Sequence, residues 1–175
     1  MSTFSDRMIR AARLDAHLYE EVEADETALP QAMGVVALSS LAAGIGVIST
    51  NGLAGVLLAT IGAFLGWYVW AVIVYLIGTK LLPGEKTQVD IGQLLRATGF
   101  SASPGILRVL GVIPVLGGLV FLVTGIWMLV AMIVAVRQAL DYESTGRAIA
   151  VCVIGFLVQI ALLIPAMLLM GPPQQ

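Results

Sequence analysis

From Thr27 to Thr79 this chain carries no Asp, Glu, Lys or Arg, and the same is true from Val109 to Val136 and from Ala148 to the end. The charges fall instead into three clusters: Asp6 to Glu26, Lys80 to Arg108, and Arg137 to Arg147. A bilayer core of about 30 Å takes roughly 20 apolar residues in a helix, so the uncharged runs are long enough to cross it. With 59% hydrophobic and 11% charged residues, a soluble domain would have too little polar surface to solvate. The chain reads as an all-α integral membrane protein.

The run from Thr27 to Thr79 is too long for one helix and holds a turn signal, Ser49-Thr50-Asn51-Gly52. Two antiparallel spans are expected, about Gln31 to Ile48 and Leu53 to Gly78, followed by a polar loop at Pro83-Gly84-Glu85-Lys86. Pro114 and Gly117-Gly118 place the start of a further span near Val115, running to Val136. The last runs from about Ala148 to Met170 and is stopped by Gly171-Pro172-Pro173. The ambiguous piece is Ile91 to Ile113, a short kinked third span or a pair of half-helices on the surface. If it spans, Arg7, Arg10, Arg13, Lys80, Lys86, Arg96, Arg137 and Arg147 all lie on one side, as the positive-inside rule favours. Five spans are therefore expected, with the N-terminus cytoplasmic and the C-terminus external. Residues 1–28 form a cytoplasmic segment, 29–171 the membrane domain and 172–175 an external tail. The first apolar stretch begins near Met33, after an acidic segment, so no cleavable signal is expected.

Phe4 to Val22 reads as one amphipathic helix, with Phe4, Met8, Ala11, Leu14, Leu18 and Val22 along a face. Its basic residues come early and its acids late, against the preference of a helix dipole. Contact of Arg7, Arg10 and Arg13 with an anionic leaflet would account for them, as would packing of the helix on cytoplasmic loops. The acidic stretch Glu20 to Glu26 is expected to be a solvated linker.

Catalysis needs convergent polar groups, and the spans supply few. His17 is the sole histidine, no span contains Asp or Glu, and the one cysteine, Cys152, has no candidate base and reads as a buried structural thiol. No metal site, cofactor or enzymatic activity is expected, and no basic stripe long enough for nucleic acid exists.

Arg108 is the sharpest polar residue in the spans, because an arginine in hydrocarbon is expensive. It stands six positions before Pro114, about 9 Å of helix, within which its side chain can snorkel to outer phosphates. That is the preferred reading; the other gives it a bundle-facing or lipid-headgroup role. In the second span Gly55, Ala59, Gly62 and Gly66 are spaced as a helix-packing stripe, which suits close approach of spans one and two more than dimerisation. Ser39 with Ala43 and Ser40 with Gly44 repeat the pattern in the first span. Trp67 and Trp70 lie mid-span, where packing or a lipid-facing groove explains them better than interfacial anchoring.

The runs Trp70 to Gly78 and Gln93 to Pro104, then Trp127 to Val130, Ala135 to Leu140 and Ser144 to Ala148, resemble in order and spacing the Yip1 domain in its small bacterial form. The resemblance covers about Gln31 to Met170 and implies five membrane helices with a cytoplasmic N-terminus, in the inner membrane. Eukaryotic members contact Rab GTPases in vesicle traffic. This chain lacks their long N-terminal region and their Asp-Leu-Tyr-Gly-Pro motif, Asp15-Ala16-His17-Leu18-Tyr19 being no match, so Rab binding is not carried over.

Two classes of function follow. In the first, the protein is a scaffold organising the lipid bilayer, copies of itself as a homo-oligomer, or other membrane proteins. In the second it is a conduit for lipid or a small solute, with Ser101, Ser103, Pro104 and Arg108 as a polar lining. A solid bundle with Arg108 reaching outward favours the scaffold, and a cavity lined by those residues favours the conduit.

Overall fold

In the computed structural model the described residues are 3–46, 48–113 and 115–170, and the expected external tail, the break at Pro114 and the stop at Gly171 lie outside them. Among the described residues seven α-helices follow one another: α1 (Phe4–Ala12), α2 (Ala16–Ala24), α3 (Leu29–Gly46), α4 (Ile48–Leu76), α5 (Ile91–Phe100), α6 (Gly117–Ala139) and α7 (Thr145–Met170). A π-helical turn (Ile77–Leu81) extends α4, and a 3₁₀ segment (Ser103–Val112) follows α5. Gly52, with φ of 61°, breaks the first turns of α4, so the turn expected at Ser49 to Gly52 is a kink between helical pieces.

Among the described residues four stretches are long and apolar enough to cross a membrane: Glu26–Gly46, Gly52–Leu81, Gly117–Ala139 and Thr145–Leu162. The expected third span is no single helix. Asp90 opens α5 with a capping box, its carboxylate accepting from the Gln93 amide at 2.8 Å while Gln93 Oε1 accepts from the Asp90 amide at 2.7 Å. After Phe100 the chain tightens into 3₁₀ turns with Pro104 in their first turn. The whole stretch lies along α3. A Cβ on Gly99 would stand 2.8 Å from the Ala32 methyl, one on Gly105 would overlap the Ser39 hydroxyl, and one on Gly46 would overlap the Arg108 carbonyl. Glycine lets these backbones meet.

The ends of α4 and α6 meet on one face of the bundle. Thr87 donates to the Leu140 carbonyl at 2.7 Å, Tyr142 to that of Leu82 at 2.6 Å and Arg147 to that of Pro83 at 3.1 Å, while Lys86 pairs with Glu143 at 3.1 Å.

The N-terminal segment is two helices where one was expected. Leu14 adopts φ of 63°, and the Leu14 and Asp15 amides return to the Ala11 and Arg10 carbonyls at 3.0 and 3.1 Å, a Schellman closure. Asp15 then caps α2 by accepting from the His17 amide at 3.1 Å, and takes Arg10 Nε at 2.8 Å. The split resolves the misfit with the helix dipole, because Arg10 now closes α1 and Asp15 opens α2. Ala11, Leu18, Tyr19 and Val22 are fully buried, with Phe4 and Met8 packed against the same core. At the other side, the Trp127 indole donates to the Ala12 carbonyl at 2.7 Å.

The acidic stretch is no solvated linker either. Glu20 to Ala24 belong to α2, and Asp25 joins it to a 3₁₀ turn at Glu26–Ala28. Buried Arg96 donates from Nε to the Val22 and Glu23 carbonyls at 3.0 and 3.1 Å, and from Nη2 to Glu23 again. The Glu23 carboxyl accepts from Gln93 Nε2 at 3.0 Å. Burial, with repulsion from Asp141, Glu20 and Asp90 outweighing Arg96, pushes it up to about 7 from 4.5.

Between those two values the folded state holds the Glu23 proton more firmly than the unfolded chain. Its contribution to stability therefore falls as pH rises across the window and is least favourable above 7. Glu23→Gln is expected to stabilise the protein by about 1–2 kcal/mol above that window, after discounting for partial exposure, and by little below it. Thermal unfolding in detergent across the pH range checks this; an equal shift at both ends would reject the assignment.

Candidate functional site

Between α3, α4, α6 and α7 the helices leave a cavity of 410 Å³, partly open to the surroundings. Its volume lies within the roughly 300–1,000 Å³ of small-molecule sites. The small residues singled out in the sequence make it. Ser40, Ala43 and Gly44 of α3 face Gly55, Ala59 and Gly66 of α4 across the space. Where two small stripes oppose each other, the helices either close or leave room, and here they close at one point. A Cβ on Gly44 would meet Val56 at 2.7 Å, whereas one on Gly62 would meet nothing within 4 Å and Gly62 is exposed. Gly55, Ala59 and Gly66 thus line the space beside the close contact of the first two spans, and Gly62 does not.

One end is largely apolar, and its two hydroxyls are internally satisfied. The Thr98 hydroxyl donates to the Leu94 carbonyl at 2.5 Å and accepts from Trp67 Nε1 at 3.2 Å. Ser101 donates to the Thr98 carbonyl at 2.6 Å. Trp70 stacks on Phe156 with ring centroids 4.6 Å apart and directs its N–H at Met132 Sδ, 3.2 Å away. Trp67 and Trp70 both line the cavity.

Arg108 lines the other end, where its carbonyl meets Gly46. It does not simply reach outward, as preferred from sequence. Its Nε is 3.4 Å from Thr124 Oγ1, and the guanidinium carbon stands 5.6 Å from the Phe121 ring centroid, a cation–π distance. The Thr124 proton is committed to the Val120 carbonyl at 2.7 Å, so its oxygen can accept. Gln159 of α7 contributes an amide to the same cavity.

Of the four residues expected to form a polar lining, Ser101 and Arg108 border the space. Ser103, which donates to the Phe100 carbonyl at 2.7 Å, and fully buried Pro104 do not; they hold the turn that carries Arg108. Trp67 and Trp70 were legible as groove candidates, but Phe121, Met132 and Phe156 carried no signal beyond being apolar.

The N-terminal arginines sit elsewhere. Arg7, 7% exposed, bonds Glu21 at 3.0 Å, Asp25 at 2.7 Å and Gln31 at 3.1 Å. Arg10 bonds Asp15 and, at 2.6 Å, Glu21. Those two therefore face carboxylates of their own chain, where leaflet contact was one expectation; Arg13 is exposed. Cys152 is buried among apolar residues. Among the described residues no His, Cys, Asp or Glu cluster could hold a metal.

No curated protein and no solved structure matches the chain. The family model of the Yip1 domain matches residues 26–167, most of the length, and the chain belongs to the Yip1 domain family.

Proposed function

We propose that the protein is an inner-membrane protein of five crossings that takes up one amphiphilic molecule from the bilayer. The crossing count rests on two contacts already described. The loop after α4 touches the turn between α6 and α7, so both lie on one face. Residues 91–112 then have to carry the chain to the opposite face, beside α3, before α6 returns it. By the charge rule that shared face is cytoplasmic, with the N-terminus beside it and the C-terminus external.

Of the two functional classes, the cavity supports the conduit class, narrowed to a binding site. The carrying observation is the combination of 410 Å³ of space between apolar helices and an arginine turned into it. The scaffold reading rests on the resemblance to the family alone.

Filling the space tests the proposal. Ala63 lines the cavity, and Ala63→Trp is expected to remove the lipid that co-purifies with wild-type protein in mild detergent, read by mass spectrometry of the intact complex. The same bound lipid on both proteins would sink the proposal. A fluorescent-lipid scrambling assay in liposomes separates transport from binding, since a pure binder leaves flipping at the level of empty vesicles.

A further inference from the structure

We infer that the cavity takes a single acyl chain of an anionic lipid, with Arg108 on its headgroup and the chain running toward Trp67 and Trp70. This rests on the binding reading above and adds the ligand's charge and orientation.

The argument begins with what Arg108 lacks. A guanidinium offers five N–H donors, and among the described residues this one makes a single long hydrogen bond, to Thr124, beside the face of Phe121. None of the ion pairs among the described residues involves Arg108. No Asp or Glu lies between Thr27 and Thr79, from Val109 to Val136 or after Arg147, so none of these runs supplies a counter-charge. A cation held in apolar surroundings without one is costly, and an anionic oxygen from outside the chain offsets that cost.

The cavity is also polarised along its length. Its Gly46 end holds the cation. Its other end holds Trp67, Trp70, Met132 and Phe156, where Thr98 and Ser101 have already committed their protons to carbonyls. A free inorganic anion would find little beyond the Gln159 amide to solvate it at that end, and a neutral hydrocarbon would leave Arg108 without a counter-charge. An acyl chain ending in a carboxylate or phosphate matches both ends. A space of 410 Å³ suits one chain, with any second chain left in the bilayer.

Trp67 and Trp70 serve as built-in reporters, because bromine on a bound chain quenches indole fluorescence at contact. Full-length protein in neutral detergent is titrated with mid-chain brominated stearate, its methyl ester, and a brominated lysophosphatidate. Saturable quenching by the two acids is expected at concentrations roughly 10–100-fold below that for the ester, the range of one charge-assisted contact. Whichever acid binds more tightly identifies carboxylate or phosphate as the preferred head. Arg108→Gln is expected to abolish the preference for acid over ester, so that the two bind alike.

Equal affinity for acid and ester in the wild-type protein overturns the headgroup assignment, and needs no variant to fold. So does an acid preference that survives Arg108→Gln. By contrast, the absence of saturable quenching by any of the three, or quenching untouched by Ala63→Phe, which fills the space without adding an indole, overturns the underlying binding reading.

Discussion

Arg96→Met is expected to destabilise the folded protein by about 2–4 kcal/mol, with the loss falling first on the attachment of α2. The side chain is 7% exposed and spends its donors on the Val22 and Glu23 carbonyls, in the last turn of α2. Those carbonyls have no helical partner of their own, and the negative end of the helix favours a cation there. Methionine keeps most of the volume, so the cost is that of stranded acceptors rather than a cavity. Arg96→Lys recovers only part of it, because one ammonium cannot reproduce a planar fork on two carbonyls. Unfolding in detergent gives the total, and limited proteolysis between Arg13 and Glu26 gives the location. An unchanged unfolding midpoint together with unchanged cleavage would show that α2 is held by Leu18, Tyr19 and Val22 alone.

The positions of the apolar helices were legible because hydrocarbon excludes charge, and the gaps between Thr27 and Thr79 and after Val109 leave no other reading. Residues 91–113 were ambiguous for a physical reason. Ser101, Ser103, Pro104 and Gly105 break the α-helical pattern, yet 3₁₀ turns rise by about 2.0 Å per residue and so cover depth with fewer residues. A count by α-helical length therefore does not give the reach of such a segment. Its close contacts with Ala32, Ser39 and Gly46 depend on distant glycines that no local pattern pairs.

The split at Leu14 escaped the periodicity because Ala11, Leu14, Leu18 and Val22 keep the same spacing through it, and Leu is an unusual residue for a left-handed closure. The signal that could have found it was the charge order, wrong for one helix and right for two. The cavity was the least legible feature. Small residues on two facing helices give the same sequence pattern whether the helices close or stand apart, and Val56 against Gly44 decides between them. Arg108 could be named from sequence, but its direction depended on Phe121 and Thr124 arriving beside it from α6.

Arg7→Met is expected to cost about 2–3 kcal/mol, and its dependence on surroundings separates two roles for the N-terminal arginines. Removing one member of a fully buried ion pair costs about 3–5 kcal/mol, and an exposed pair contributes about 0–1. Arg7 is almost buried, while the side chains of Glu21 and Asp25 are 32% and 28% exposed, which places the pair between those limits. Glu21 is shared with Arg10, so the two substitutions are coupled. With Arg7 gone Glu21 keeps Arg10, and with both gone it loses both of these arginines at once. The double variant Arg7→Met with Arg10→Met should therefore lose more than the sum of the singles. Asp25, held below the usual carboxylate range by Thr27 and Arg7, and Asp15, held there by Arg10, carry the same dependence into pH. Their contribution is present above the unfolded value of 3.8 and is lost as pH falls below it, opposite in sign to that of Glu23. If instead these arginines acted on an anionic leaflet, the cost of Arg7→Met would appear in vesicles rich in anionic lipid and vanish in neutral detergent. An equal loss in both media is the expected result, since Arg7 already has its counter-ions within the chain.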